Sequence, residues 1–166
     1  DVGVWLLTPA LLGATSLPAP LHVPAMAGAR STALAVRLDG TRVRVALAAE
    51  IGCRPQASIK LALGTLDAAG ALAFEAPIEV AGPSEIATAP SVAWVEGRRE
   101  WWIAWVDQAP RARVRRFLAD GKPVGGPIDV GQQLPLAAVS SAESVFGFNP
   151  GANGGSFVEI PLACPR

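Results

Sequence analysis

Apolar and polar positions alternate along this chain in short runs, and glycine-bearing turns separate the runs. In Arg42–Ala48 the arginines at 42 and 44 stand opposite Val43 and Val45. A period of two places successive side chains on opposite sides of a β-strand. In Glu100–Asp107, Trp101, Ile103 and Trp105 fall on one side and Trp102, Ala104 and Val106 on the other. Both sides are apolar, so this strand is expected to be covered on both faces. Further strands are predicted over Ala33–Leu38, Ile59–Leu66, Val92–Glu96 and Ala112–Leu118. Tight turns are expected at Asp39-Gly40, Ala69-Gly70, Glu96-Gly97 and Asp120-Gly121, where glycine accepts positive φ freely. No window carries a sustained 3.6-residue apolar stripe, so almost no helix is expected.

The runs repeat. Residues 1–23 align without a gap to residues 58–80, placing Thr8 on Thr65, Gly13 on Gly70, Pro20 on Pro77 and Val23 on Val80. The ending recurs three times, as Pro20-Leu-His-Val23, Pro77-Ile-Glu-Val80 and Pro127-Ile-Asp-Val130. The front half repeats as well. Ala33–Gly40 matches Ser91–Gly97, and Val43–Ala48 matches Trp101–Val106, with a weaker third copy in Leu136–Val139 and Ser144–Phe148. Self-similarity at such a period marks a repeat architecture. The chain therefore divides as one β-repeat domain over 1–166: a half unit at 1–23, four-stranded units at 24–80 and 81–130, and a partial unit at 131–166.

Residues 90–130 carry a pattern that resembles the blades of bacterial β-propellers: Ser91-Val-Ala-Trp94, Trp101-Trp-Ile-Ala-Trp105, Ala119-Asp-Gly121 and Gly126-Pro-Ile-Asp-Val130. The resemblance implies an all-β fold of four-stranded antiparallel blade repeats, a partial β-propeller. The alternatives are a β-sandwich or a repeat stack that does not close. The sialidase aspartate box, the Trp-Asp dipeptide, the paired-glycine kelch signature as a whole and the integrin calcium loop are all missing. About three blades fall short of the usual ring of 4–8. The array is thus expected to be completed by a protein partner, a second copy or a missing segment of the same precursor.

Composition narrows the function classes. Hydrophobic residues make up 51% of the chain and formal net charge is zero. Disorder is excluded, and no global field exists to draw in nucleic acid. No apolar run approaches the roughly 18–20 residues of a membrane span. The abundance of Ala, Gly, Pro and Arg suits a GC-rich bacterial source. The start at Asp1 points to a removed leader or a fragment, and export to the periplasm, cell surface or medium is the expected setting. Cys53 and Cys164 match no metal spacing; they form a disulfide in an exported protein or remain two thiols.

Two constellations are candidates for ligand binding. Trp102 and Trp105 are either exposed stacking platforms for a glycan or members of the core. Arg111, Arg113 and Arg115 fall on one side of a strand; they either hold anionic groups such as a uronic acid or form a solvated face paired with Glu96, Glu100 or Asp107. His22, the single histidine, occupies the repeat slot of Glu79 and Asp129 and is expected at the surface. No catalytic residue, metal or cofactor is assigned. Glu50, Asp67, Glu75, Glu85, Asp107 and Glu143 are scattered, and glycoside hydrolysis needs two carboxyls close together. The loop Glu50–Ala57 is an insertion relative to the second unit, and Asn149–Gly155 is expected to be a flexible turn cluster. The function expected first is a non-enzymatic scaffold or protein-interaction module within a larger exported or surface assembly. A glycan-binding module is second, and a fragment of a propeller hydrolase third.

Overall fold

In the computed structural model, the structure describes residues 3–4, 21–23, 26–53, 55–109, 111–131, 138–140, 144–151 and 154–161. The described chain is all-β. Its strands are β1 (Gly3–Val4), β2 (Leu21–His22), β3 (Ala29–Asp39), β4 (Arg42–Ile51), β5 (Ser58–Leu66), β6 (Leu72–Phe74) and β7 (Ile78–Ala81). They continue with β8 (Thr88–Val95), β9 (Glu100–Val106), β10 (Ala112–Leu118), β11 (Pro123–Gly131), β12 (Ala138–Ser140), β13 (Ser144–Gly151) and β14 (Gly154–Pro161). A 3₁₀ turn at Pro83–Glu85 is the helical element among the described residues.

Every pairing described is antiparallel, and neighbours in sequence pair with each other. β3, β4, β5 and β6 form one sheet, with β7 also on β5; β8, β9, β10 and β11 form a second; β12, β13 and β14 form a third; β1 and β2 form a small pair. The first two Pro-x-x-Val endings share one register, and the third pairs two residues further along its strand. Gly3 pairs with His22 and Val4 with Leu21. At the same offset Lys60 pairs with Glu79 and Leu61 with Ile78. In the second large sheet Arg113 pairs with Asp129 and Val114 with Ile128.

Three local features differ from the sequence expectation. The fourth strand of the first sheet is split into β6 and β7 around Glu75-Ala76-Pro77. Pro77 has no N–H to donate to the ladder, which favours the break there. The two first hairpins have different lengths. Asp39 pairs with Arg42 across a two-residue turn, whereas Val95 pairs with Glu100 across four residues, with Arg99 at φ 55°. By ladder position Leu38 therefore matches Trp94 and Val36 matches Val92, two residues from the alignment by sequence. The shift is even, so the faces are unchanged. Finally, Asn149, Pro150 and Gly151 belong to β13 and Gly154 and Gly155 to β14, a hairpin in place of the expected flexible cluster.

The two large sheets pack face to face. One face of the first large sheet contributes Ala46, Ala48, Ile59, Leu61, Leu63 and Val80 to a core. The second contributes Val92, Trp94, Trp101, Ile103, Trp105 and Phe117 to the same core, and Ala33 and Ala35 of β3 pack against it. The opposite face of the first sheet, Leu47, Ala49 and Ala62, is covered by Val23 and Met26. The opposite face of the second gathers Val95, Trp102, Ala104 and Val114. The first strands adjoin one another: β8 lies beside β3 and also beside β12. Bulky residues of one first strand thus meet small residues of the preceding one, the complementarity that close-packed interiors require.

Candidate functional site

The tryptophans are core. Trp105 is 0% exposed and Trp102 5%. Alternation along β9 sends them to opposite faces, Trp105 between the two large sheets and Trp102 to the far side. Trp102 Nε1 donates to Glu100 Oε2 at 2.9 Å, and Arg116 Nη1 stands 3.8 Å from the same oxygen. A buried carboxylate is tolerable when it is paired in this way. Rings so covered offer no stacking face to a sugar. Trp94 and Trp101 meet edge to face at 4.8 Å. The guanidinium of Arg37 lies 3.9 Å above the Trp94 ring centre, so a cation–π contact fastens β3 to β8.

The three arginines have separate partners. Arg111 pairs with Asp129 at 3.4 Å. Arg113 Nε donates to Asp107 Oδ2 at 3.1 Å. Arg115 Nη1 donates across the stack to the Val80 carbonyl at 2.8 Å. Arg113 and Arg115 share the face of Trp105 and Ile103 by register. The structure thus spends these side chains on Asp129, Asp107 and the neighbouring sheet.

Asp107 organises the β9–β10 hairpin. Its Oδ1 accepts from the backbone N–H groups of Ala109 at 2.9 Å and Arg111 at 3.1 Å, an Asx-type turn. Burial alone would raise its carboxyl, but the backbone donors of Arg111 and Ala109 and the Arg113 guanidinium outweigh burial and hold it below the ordinary aspartate value. Beside this hairpin is a groove of about 430 Å³ lined by Ser84, Glu85, Asp107, Gln108, Arg113 and Pro127 among others. Two carboxylates, Glu85 and Asp107, border it. Both oxygens of Asp107 are already engaged by donors, and its depressed pKa is the reverse of what a general acid needs.

The other acids serve local structure. Glu50 Oε2 accepts from the Ala89 N–H, Asp67 caps the turn to Ala71, and Glu75 pairs with Arg44. Glu143 lies outside the described residues. His22 is exposed on β2, as are Glu79 on β7 and Asp129 on β11. Cys53 is exposed and free in the inserted loop; Cys164, its candidate disulfide partner, lies outside the described residues. Among the described residues no group of three or more His, Cys, Asp or Glu could hold a metal, and no helix is long and apolar enough to cross a membrane.

Sequence reasoning missed the most unusual surface. Leu34, Val36 and Leu38 on β3 are 53%, 54% and 75% exposed. They line the face of the first sheet turned away from β8. The signal was the small–large alternation in Ala33-Leu-Ala-Val-Arg-Leu38. No protein-family model, no curated protein and no solved structure matches this chain.

Proposed function

We propose that the chain is a non-enzymatic scaffold, a run of blade-like four-stranded units from a β-propeller-like array, whose task is to hold and join protein surfaces. One observation carries this reading: the two large sheets share one core face to face, and β8, the first strand of the second, adjoins both β3 and β12, the first strands of the sheets before and after it. Blades around an axis have that arrangement. The shared register of the first two Pro-x-x-Val endings supports the same reading. The side chains that suggested chemistry are spent on the stack: indoles in its core, Arg115 across it, and Arg113 and Asp107 in a hairpin.

The test is a binding and activity panel on the whole chain. Neutral oligosaccharides and oligogalacturonate are titrated while backbone amide shifts are followed, and chromogenic glycosides are assayed alongside. The scaffold reading expects no saturable shift and no turnover. A saturable shift centred on Arg111, Arg113 and Arg115 would replace it with the glycan-binding reading. Turnover abolished by Glu85→Gln would replace it with the hydrolase reading.

A further inference from the structure

We propose that the groove beside the β9–β10 hairpin binds a dipeptide with both ends free, its ammonium group at Glu85 and its carboxylate at Arg113. This goes beyond the scaffold reading and does not rest on it. Ser84 and Glu85 come from the connection between β7 and β8, and Asp107, Gln108, Arg113 and Pro127 from the β9–β10–β11 part of the second large sheet. The space of about 430 Å³ between them falls within the roughly 300–1,000 Å³ of small-ligand sites.

The groove holds an acid and a base that do not neutralise each other. Arg113 gives its Nε to Asp107, its side chain is 33% exposed, and its two Nη groups meet no acceptor among the described residues. Asp129, its register partner on β11, is paired with Arg111. Glu85 is half-buried. Glu50, Glu75, Glu96 and Glu100 each have a partner, whereas the Glu85 carboxylate has none among the described residues. Both charges stand on fixed backbone. The N–H groups of Ala109 and Arg111 hold Asp107, which in turn holds Arg113. The Glu85 N–H donates to the Gly82 carbonyl at 3.0 Å. Ile86 beside it takes φ 48°, a costly conformation for a β-branched residue, of the kind that gathers at binding sites.

The ligand class follows from these charges. The Nη pair of a guanidinium is a fork that matches a carboxylate, and a lone carboxylate matches an ammonium group. A simple anion would meet Glu85 and Asp107 as like charges, and a simple cation would meet Arg113; a zwitterion placed end to end avoids both costs. The Gln108 carboxamide both donates and accepts, which suits the peptide link between the two ends.

Alanylalanine titrated to about 10 mM into the whole chain, with backbone amide shifts followed, tests the idea. The expected result is saturable shifts at Glu85 and across residues 107–113, weakened about tenfold or more when either end of the dipeptide is blocked, by N-acetylation or as the C-terminal amide. Glu85→Gln should weaken binding to the same degree, and Arg113→Lys, which keeps the charge and loses the fork, should weaken it too. Glu85 has no partner among the described residues to lose, so Glu85→Gln should leave the fold intact, which unchanged amide shifts away from the groove verify. No saturable shift overturns the inference, as does equal binding of either blocked form, or binding that Glu85→Gln leaves unchanged. Each of these failures leaves the stacked reading standing, since the contacts of the Trp94 ring with β3 report that separately.

Discussion

Gly121→Ala probes how firmly the second large sheet presses on the first. Gly121 sits in the β10–β11 turn at φ +86°, and a Cβ there would overlap the Ile78 Cδ1 methyl and lie 3.2 Å from Leu63 Cδ1. Both of those side chains belong to the first sheet. Two costs follow. An L-residue in the left-handed region costs about 1–2 kcal/mol. Forcing a methyl into a filled contact adds about 1–3 kcal/mol, reduced by whatever the flexible end of Ile78 yields. The sum is about 2–5 kcal/mol, a large fraction of a typical domain's stability. Gly70 is the internal control. It has the equivalent turn at φ +84°, with nothing within 4 Å of an added Cβ, so Gly70→Ala should lose the dihedral term alone. Urea denaturation of both variants, compared at unchanged slope, isolates the packing term as their difference. Equal losses would refute the reasoning, because the β10–β11 turn would then not bear on Leu63 and Ile78.

Further outcomes follow from the same geometry. Trp105→Ala should cost about 3–5 kcal/mol in urea denaturation, since the ring is fully buried between the sheets; a loss below about 1 kcal/mol would place it elsewhere. Trp102→Phe removes the donor that Glu100 accepts from and should cost about 1–3 kcal/mol. Glu100→Gln in the Trp102→Phe background should then lose less than it does alone. Asp107 should titrate below 3.8 by carboxyl NMR, and Arg113→Ala should move its midpoint upward. With a depressed folded pKa, its stabilising contribution is fully present above the ordinary aspartate value. That contribution is lost as pH falls through the folded value, so Asp107→Asn should flatten the acid limb of the stability curve.

Strands and turns were legible in the sequence because each depends on neighbours two to four residues away. Alternation placed β4, β9 and β10, and Gly70 and Gly121 placed their turns. The repeat reading found the Pro-x-x-Val endings, and the pairing register of the first two then recurred in space. The sequence predicts the same tight turn for both first hairpins, because Asp39-Gly40 and Glu96-Gly97 look alike, yet only Asp39 pairs in the ladder and the second hairpin is two residues longer. It also did not show which arginines turn inward. Arg115 reads as an anion-binding or solvated side chain and Arg37 carries no signal of its own, yet Arg37 lies over Trp94 and Arg115 holds the Val80 carbonyl, both across the gap between sheets. Whether a cation finds such a partner is fixed by how sheets face each other, which the local pattern does not encode. The same holds for the ridge: Leu34, Val36 and Leu38 have the alternation of a buried strand, and only the stack shows that face open.

The most direct measurement is the through-space proton contact between the methyls of Ala33 and Ala35 on β3 and the indole rings of Trp94 and Trp101. Stacked sheets with adjoining first strands predict cross-peaks from these methyls to the core that Trp94 and Trp101 share, with at least one methyl seeing an indole. A spectrum in which β3 and β4 give their ladder contacts, while neither methyl sees an indole, would contradict the account, since the sheets would then form without stacking.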